Sequence, residues 1–481
     1  MTETWRRHWR ESRRETRDLL RLALPICGAQ LAQSGMSVAD VIMAGRASAR
    51  DLAAVSVGSS LWLPLMLFMT GTLMGLTPIV AQLLGARRDT AIRPFVHQAL
   101  WLALLLGGLA AVLLVWGVAP VFRLMAVPGP VAELSGDYLA MVALGMPGVA
   151  IYQALRAFSD GMNHTRPTLW ISLVGLAANI PCNYLLIYGG DGLVALFGDA
   201  LPAPLATLPA LGAQGCGIAT AIAMWVMCLT MIGFTRRSKV FAPIQLWLTW
   251  HRPQREQLAE LLHVGIPIGV AIFVEVTLFT LIALLIASFG EITVAAHQVA
   301  LNYTSILFML PLSLAMALTV RVGNTLGGGA PRRARFVAAN GALVGLLVAL
   351  INDLLLWLTA GPVVALYTPN PAVQELALSL IYLALLYQVS DSLQVTLAGA
   401  LRGYKDTRII MAITLISYWL AGLGSGYLLA GGHWPGIPAL GVYGYWIGMI
   451  AGLSVAAVLL GWRLWRISRE WCHDAPAMAG D

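Results

Sequence analysis

The chain alternates between long apolar blocks and short polar stretches. A helix needs about 20 apolar residues to cross the hydrocarbon core of a bilayer. Blocks of that length fall at roughly 18–43, 54–83, 95–118, 133–157, 167–188, 213–235, 258–288, 295–325, 335–359, 375–401, 409–430 and 441–463. They predict twelve spanning helices in an all-α polytopic membrane protein. The first block follows a basic run (Arg6, Arg7, Arg10, Arg13, Arg14, Arg17, Arg21) and so has the outline of a secretory leader. Gln30, Gln33 and Asp40 interrupt it, however, and no small-residue cleavage site follows. It reads as a retained first span. The stretch before it, with Trp5 and Trp9 among arginines, suits an interfacial helix on an anionic leaflet.

The blocks repeat. A shift of 242 residues aligns the two halves without gaps: Leu19-Leu20 falls on Leu261-Leu262, Pro25-Ile26 on Pro267-Ile268, Thr77 on Thr319, Leu84-Gly85 on Leu326-Gly327, and Thr165-Arg166 on Thr407-Arg408. Six helices separate equivalent positions. An even number gives both halves one orientation, with a pseudo-two-fold axis along the membrane normal. The expected organisation is a basic N-terminal segment (1–17), a first lobe (18–235), a basic linker (236–257), a second lobe (258–466) and a tail (467–481). Two six-helix lobes facing each other enclose a central cleft, and rocking one against the other gives alternating access.

Composition supports lipid as the solvent. The chain is 58% hydrophobic and 11% charged, where soluble domains carry about 25% charged residues. Its net charge of +7 would suit nucleic acid, but the basic residues fall between apolar blocks, where they report topology. Of 30 Lys and Arg, 27 lie on the side of the two termini; only Arg46, Arg50 and Arg123 fall on the other. The positive-inside rule then puts both termini in the cytoplasm. The longest outward loop, 189–212, carries Asp191 and Asp199 and no base. Five scattered cysteines with no CxxC or metal-type spacing indicate neither a disulfide framework nor a zinc site. No GxxxxGK[ST] loop, nucleotide-holding domain or Ser–His–Asp, paired-carboxylate or metalloprotease pattern is present, which disfavours an enzyme.

Ionisable residues deep in spans are costly, about 2.5–3.5 kcal/mol on insertion scales, and point to function. Three carboxylates qualify. Asp40 shares a helix face with Gln33 and Ser37. Glu275 lies deep in the seventh block. Asp391 lies deep in the tenth, on one face with Tyr387 and Gln394. The 242 shift sets Asp40 against Ile282, Glu275 against Gln33 and Asp391 against Val149, so no acid is duplicated. Burial favours the neutral form of a carboxylate. Such a group can take a proton, bind Na⁺ with further oxygen ligands, or pair with an organic cation. One charge moving inward across about 150 mV supplies about 3.5 kcal/mol, enough for a several-hundred-fold gradient. Asn179 and Asn183 flank Pro181 one turn apart in the fifth block, where helix–helix hydrogen bonding competes with ligand binding as their role. Pro25, Pro78, Pro147, Pro267 and Pro311 mark kinks. A structural place near the membrane interface is expected for His297 and Gln298, and contact with water for Asp353.

The stretches SVADVIMAG (37–45), DGMNHTRP (160–167), ANIPCN (178–183), FVEVTLF (273–279), AAHQVALN (295–302) and LRGYKDT (401–407) resemble the multidrug and toxic compound extrusion (MATE) family, in particular its NorM-type bacterial branch. The similarity runs from about residue 18 to 466. It implies the MATE fold, with twelve helices in two pseudo-symmetric six-helix lobes around a central cleft. It also implies export of cationic and amphiphilic drugs in exchange for Na⁺ or H⁺ across the bacterial inner membrane, with no cofactor, no nucleic-acid partner, lipid as surroundings and a monomer as the expected state. By this resemblance Glu275, Tyr387 and Asp391 are cation-binding, and would ligate Na⁺ in a sodium-coupled protein. Asp40, with Gln33, Asn179 and Asn183 near it, binds a proton or the drug. Asp353 matches no family position. The alternative is a flippase for lipid-linked sugar precursors from the related superfamily. It would need a strongly cationic cavity, whereas the sequence places its bases in connections.

Overall fold

Twelve long helices form where the apolar blocks fall, because a spanning backbone must satisfy its own polar groups. The computed structural model describes residues 3–124, 127–197, 207–433 and 435–474. In chain order the helices are α1 (Glu3–Ala47), α2 (Ala49–Gly85), α3 (Asp89–Trp116), α4 (Gly129–Gly161), α5 (Arg166–Phe197), α6 (Gly212–Arg237), α7 (Arg255–Phe289), α8 (Glu291–Gly327), α9 (Pro331–Tyr367), α10 (Pro371–Gly403), α11 (Thr407–Ala430) and α12 (Val442–Asp474). Eleven are long and apolar enough to cross a membrane by length and composition. The twelfth is α1, whose polar positions dilute its apolar stretch. Asp199 and the tail residues 475–481 lie outside the described residues.

Helix α1 runs unbroken for 45 residues. At about 1.5 Å per residue it is twice as long as the hydrocarbon core is thick. Its first part is therefore a continuation of the span rather than a separate interfacial helix, and it docks on the second half of the chain. Glu15 is buried and accepts from Arg321 Nε (2.8 Å) and Nη2 (2.7 Å) of α8. Ser12 donates to Asn340 Oδ1 at 2.5 Å. Pro78 lacks an N–H, so the carbonyl of Met74 loses its helical donor and Thr77 N donates to it instead, at 3.0 Å. A tight turn at Met74–Gly75 results inside α2. In α5 the kink comes at Gly189, with φ of 61°. Residues 416–424 of α11 are wound as a π-helix, which no apolar pattern signals.

Equivalent residues of the two repeats pack in equivalent ways. Leu19 and Ile26 of α1 join a core with α8, α9 and α10, while Leu261 and Ile268 of α7 join the core of the first half. Each repeat thus sends the terminal-side half of its first helix into the other's core. A Cβ on Gly85 would lie 2.0 Å from Asn324 O, and one on Gly327 would lie 1.9 Å from Gln82 O. Both members of that second contact follow from the first by the 242 shift. Thr77 Oγ1 donates to Ala157 O (3.3 Å) as Thr319 Oγ1 donates to Gly399 O (2.8 Å), again 242 apart. The axis therefore passes between α2 and α8 near the side of the termini. On that side α2 and α7 also cross through Gly71, Gly75, Gly265 and Gly269: a Cβ on Gly71 would lie 2.7 Å from Gly269 Cα, and one on Gly75 would lie 2.6 Å from Gly265 Cα. Small residues one turn apart on both helices permit this approach.

The linker between the halves is held to α3. His97 Nδ1 accepts from His251 N (3.2 Å), its Nε2 bonds Leu246 O (2.8 Å), and its ring stacks on Trp250 at 4.5 Å. Gln98 Nε2 and Trp101 Nε1 donate to the carbonyls of Arg252 and His251.

Candidate functional site

In the first lobe the polar stripe of α1 meets α5 and α6. Asp40 is buried, and three neutral side chains donate to it: Asn183 (2.6 Å) and Asn179 (3.1 Å) to Oδ1, and Thr220 (3.0 Å) to Oδ2. No salt bridge reaches it among the described residues. The two asparagines flank Pro181 and so present both amides on one face. Asp40 borders a cavity of ≈ 70 Å³ shared with Gln33, Ser37 and the thioethers of Met36, Met224 and Met227. Gln33 donates to Ser172 at 3.2 Å and lines both this cavity and the larger one described below.

In the second lobe Glu275 comes from α7, and Tyr387 and Asp391 from α10. Tyr387 is packed edge-on between Phe279, one turn beyond Glu275, and Trp446 of α12, at centroid distances of 6.4 and 5.9 Å. Trp446 Nε1 donates to Nδ1 of His297, which is buried. Tyr387 and Asp391 are buried behind Glu275, which opens onto the central cavity. Several polar atoms here are buried without a hydrogen-bond partner: Asp391 Oδ1, Gln388 Nε2, Gln394 Oε1, and the hydroxyls of Thr414, Ser417 and Tyr418 on and beside the π-helical turn. Each orphaned group of this kind costs about 1–3 kcal/mol. Hydroxyls, amide oxygens and two carboxylates form an oxygen-rich set that suits a proton or a hydrated Na⁺. Among the described residues no group of three His, Cys, Asp or Glu gathers at one point. Any Na⁺ here would draw on neutral oxygens as well as on the two acids.

Between the lobes lies a cavity of ≈ 420 Å³. One wall carries Gln33 and Ser37, the opposite wall Glu275 and Gln394, and apolar Met66, Phe279 and Phe308 fill much of the rest. Its floor carries residues that the sequence reading places in connections. Arg156 and Asp160 end α4, Arg402 ends α10, and all three are buried and line the cavity. Arg156 Nη2 donates to Gln30 Oε1 (3.1 Å), and its Nε lies 3.5 Å from Asp160 Oδ2. Thr168 also donates to Asp160, at 3.0 Å. The expectation that bases stay out of the cavity is thus corrected. These residues close apolar blocks and look like flanks, yet the opposite lobe covers the helix ends. The 242 shift offers one sequence signal, since it sets Asp160 against Arg402. Asp353 in α9 does not simply reach water: its Oδ1 is buried without a partner. All five cysteines are free.

A two-lobed bundle of twelve spanning helices around a charged cavity defines a membrane transporter, not an enzyme. The family model described as MatE matches residues 25–185 and 267–428, two segments whose starts differ by the same 242 residues, and the chain belongs to that family. It is 45% identical over 462 residues to multidrug resistance protein PmpM of Pseudomonas aeruginosa, covering 96% of this chain and 94% of that protein. It is 42% identical over 458 residues to multidrug resistance protein NorM of Vibrio cholerae, covering 95% and 97%. The crystal structure of the eukaryotic MATE transporter AtDTX14 shares the fold, with a TM-score of 0.82 at 21% identity over 96% of this chain and 99% of that one.

Proposed function

We propose that the protein exports cationic and amphiphilic small molecules in exchange for inward Na⁺ or H⁺, by alternating access of its two lobes. The observation that carries this reading is the position of Glu275. It forms part of an oxygen-rich, partly unpartnered cluster with Asp391 and Tyr387, and it also borders the central cavity. A cation bound at the cluster changes the charge that a cavity occupant meets, which couples the two. Asp40 and its amide donors form a second acidic site that takes a proton or the positive group of the cargo. The relatives' names, multidrug resistance proteins, agree with this reading.

The terminal side carries 27 of 30 basic residues and is therefore the cytoplasmic side of a bacterial inner membrane. The glycine crossings close the lobes on that side, so this arrangement is the one that faces outward. The flippase reading asks for a cationic cavity. Arg156 and Arg402 supply two bases, but Asp160 and Glu275 balance them on the same walls. Purified protein in proteoliposomes, given a Na⁺ gradient or a pH gradient separately, should expel a fluorescent organic cation under one or both. Turnover of a lipid-linked sugar with no cation efflux under either gradient would replace antiport with lipid flipping.

A further inference from the structure

The linker between the lobes is irregular backbone laid along α3, and side chains of that helix fix its depth. Arg93 is the last charge of α3 before an uncharged stretch that runs to Arg123. Trp101 lies two turns beyond Arg93, about 12 Å along the axis. A headgroup layer is only about 5–8 Å thick, so Trp101 reaches the hydrocarbon boundary. There it donates to a linker carbonyl, His251 O, at 3.1 Å. Gln98 and His97, one turn back, hold four more backbone groups of the linker: Arg252 O (3.1 Å), Gln254 N (3.0 Å), His251 N (3.2 Å) and Leu246 O (2.8 Å). Irregular backbone at membrane depth needs such partners because lipid supplies none. Phe241, Ile244 and Leu246 are buried in the core of the first half, whereas Leu248 and Trp250 are left 72% and 48% exposed. The same segment carries Arg236, Arg237, Lys239, Arg252 and Arg255 and no acid. None of the five forms an ion pair among the described residues, and Arg236 lies over the ring of Trp247 at 5.9 Å.

We propose that this face of the linker docks on anionic phospholipid: Leu248 and Trp250 enter the leaflet on the side of the termini, and the bases around them hold phosphate groups. An exposed leucine and indole beside unpaired bases is the composition of an interfacial element. An indole settles at headgroup level, and Lys and Arg near the surface draw anionic headgroups to it. A soluble protein partner could also cover Leu248, but it would not account for backbone groups satisfied from a spanning helix at this depth. The linker takes no part in lining the central cavity, so the assignment is independent of what that cavity carries.

The test reads lipid contact at the linker itself. Leu248→Cys, in the full-length chain without the five native thiols, carries a nitrobenzoxadiazole fluorophore and is placed in nanodiscs holding phosphatidylglycerol and phosphatidylcholine in equal amounts. One of the two lipids at a time bears a nitroxide quencher on its acyl chain. Both should quench, and phosphatidylglycerol should quench at least twofold more strongly. The same fluorophore at Arg332→Cys, an exposed position at the start of α9, should be quenched clearly less. Replacing Arg236, Arg237, Lys239 and Arg252 with Gln should make the two lipids equal at Leu248→Cys. Quenching by neither lipid at position 248 puts the face against water or another protein and overturns the proposal. Equal quenching before the bases are removed overturns the anionic preference without recourse to the Gln variant, and so does a preference that survives in it.

Discussion

Asp40 holds its place by accepting three hydrogen bonds, and that dictates how substitutions there behave. In Asp40→Asn the amide oxygen can still accept from Asn179 and Asn183, and the Thr220 hydroxyl can turn to accept from the new NH₂. Asp40→Ala leaves all three donors without this acceptor, at about 1–3 kcal/mol each. The expected outcome is a melting temperature in detergent close to wild type for Asp40→Asn and clearly lower for Asp40→Ala. Equal melting of the two would show that the donors find other partners. Asp391→Asn is nearly isosteric in a cluster already rich in amides, so the protein should accumulate normally. Its Na⁺- or H⁺-driven drug efflux should fall at least tenfold, and wild-type efflux would remove Asp391 from the cation site. Asp40, Glu275 and Asp391 were legible in the sequence because a lone acid inside an apolar block has no innocent place. Arg156, Asp160 and Arg402 were not, because a charge at the end of a block is the ordinary mark of a membrane surface.

Helices α2 and α7 meet through backbone, and one methyl group decides whether they can. A Cβ on Gly265 would lie 2.1 Å from Thr72 O, and backbone on both sides leaves no flexible side chain to yield. Gly265→Ala should therefore hold the lobes apart on the terminal side and shift the population away from the arrangement described. Overpacking of this kind costs about 1–3 kcal/mol, enough to lower transport several-fold in proteoliposomes. Gly136 in α4 has nothing within 4 Å of a built Cβ. Gly136→Ala should be neutral or stabilising by up to about 1 kcal/mol, and a comparable transport loss there would mean that the effect at Gly265 is not steric. Block length was enough to read the twelve helices. It could not show that α1 continues as one helix through its basic segment, because arginines favour a helix and a membrane surface alike. Nor could it show the π-helical turn of α11, because its residues are as apolar as those of an ordinary span.

Both lobes are closed at the terminal end by contacts that the pseudo-two-fold axis repeats, and alternating access requires those contacts to part. Ala81 and Gly323 face each other there, with a Cβ built on Gly323 3.1 Å from the Ala81 Cβ. A disulfide prefers Cβ atoms about 3.5–4.5 Å apart, so a shift of a few tenths of an ångström accommodates one. Cysteines at both positions, in a background without the five native thiols, should cross-link under mild oxidation and stop transport, and reductant should restore it. Unimpaired transport by the cross-linked protein would mean that the lobes need not separate on this side.

By itself the sequence determined the number of spans, the repeat and its like-oriented halves, and three of the acids inside the spans. All of these depend on the local contrast between apolar and charged residues, or on one residue aligned with another at a constant offset. Only the tertiary structure decided that each repeat lends the terminal-side half of its first helix to the other lobe, that Asp40 is saturated while Asp391 and Arg402 are not, and that two arginines and an aspartate form the cavity floor. Those depend on which helix covers which. A helix end that is exposed in one packing and buried in another has the same sequence in both.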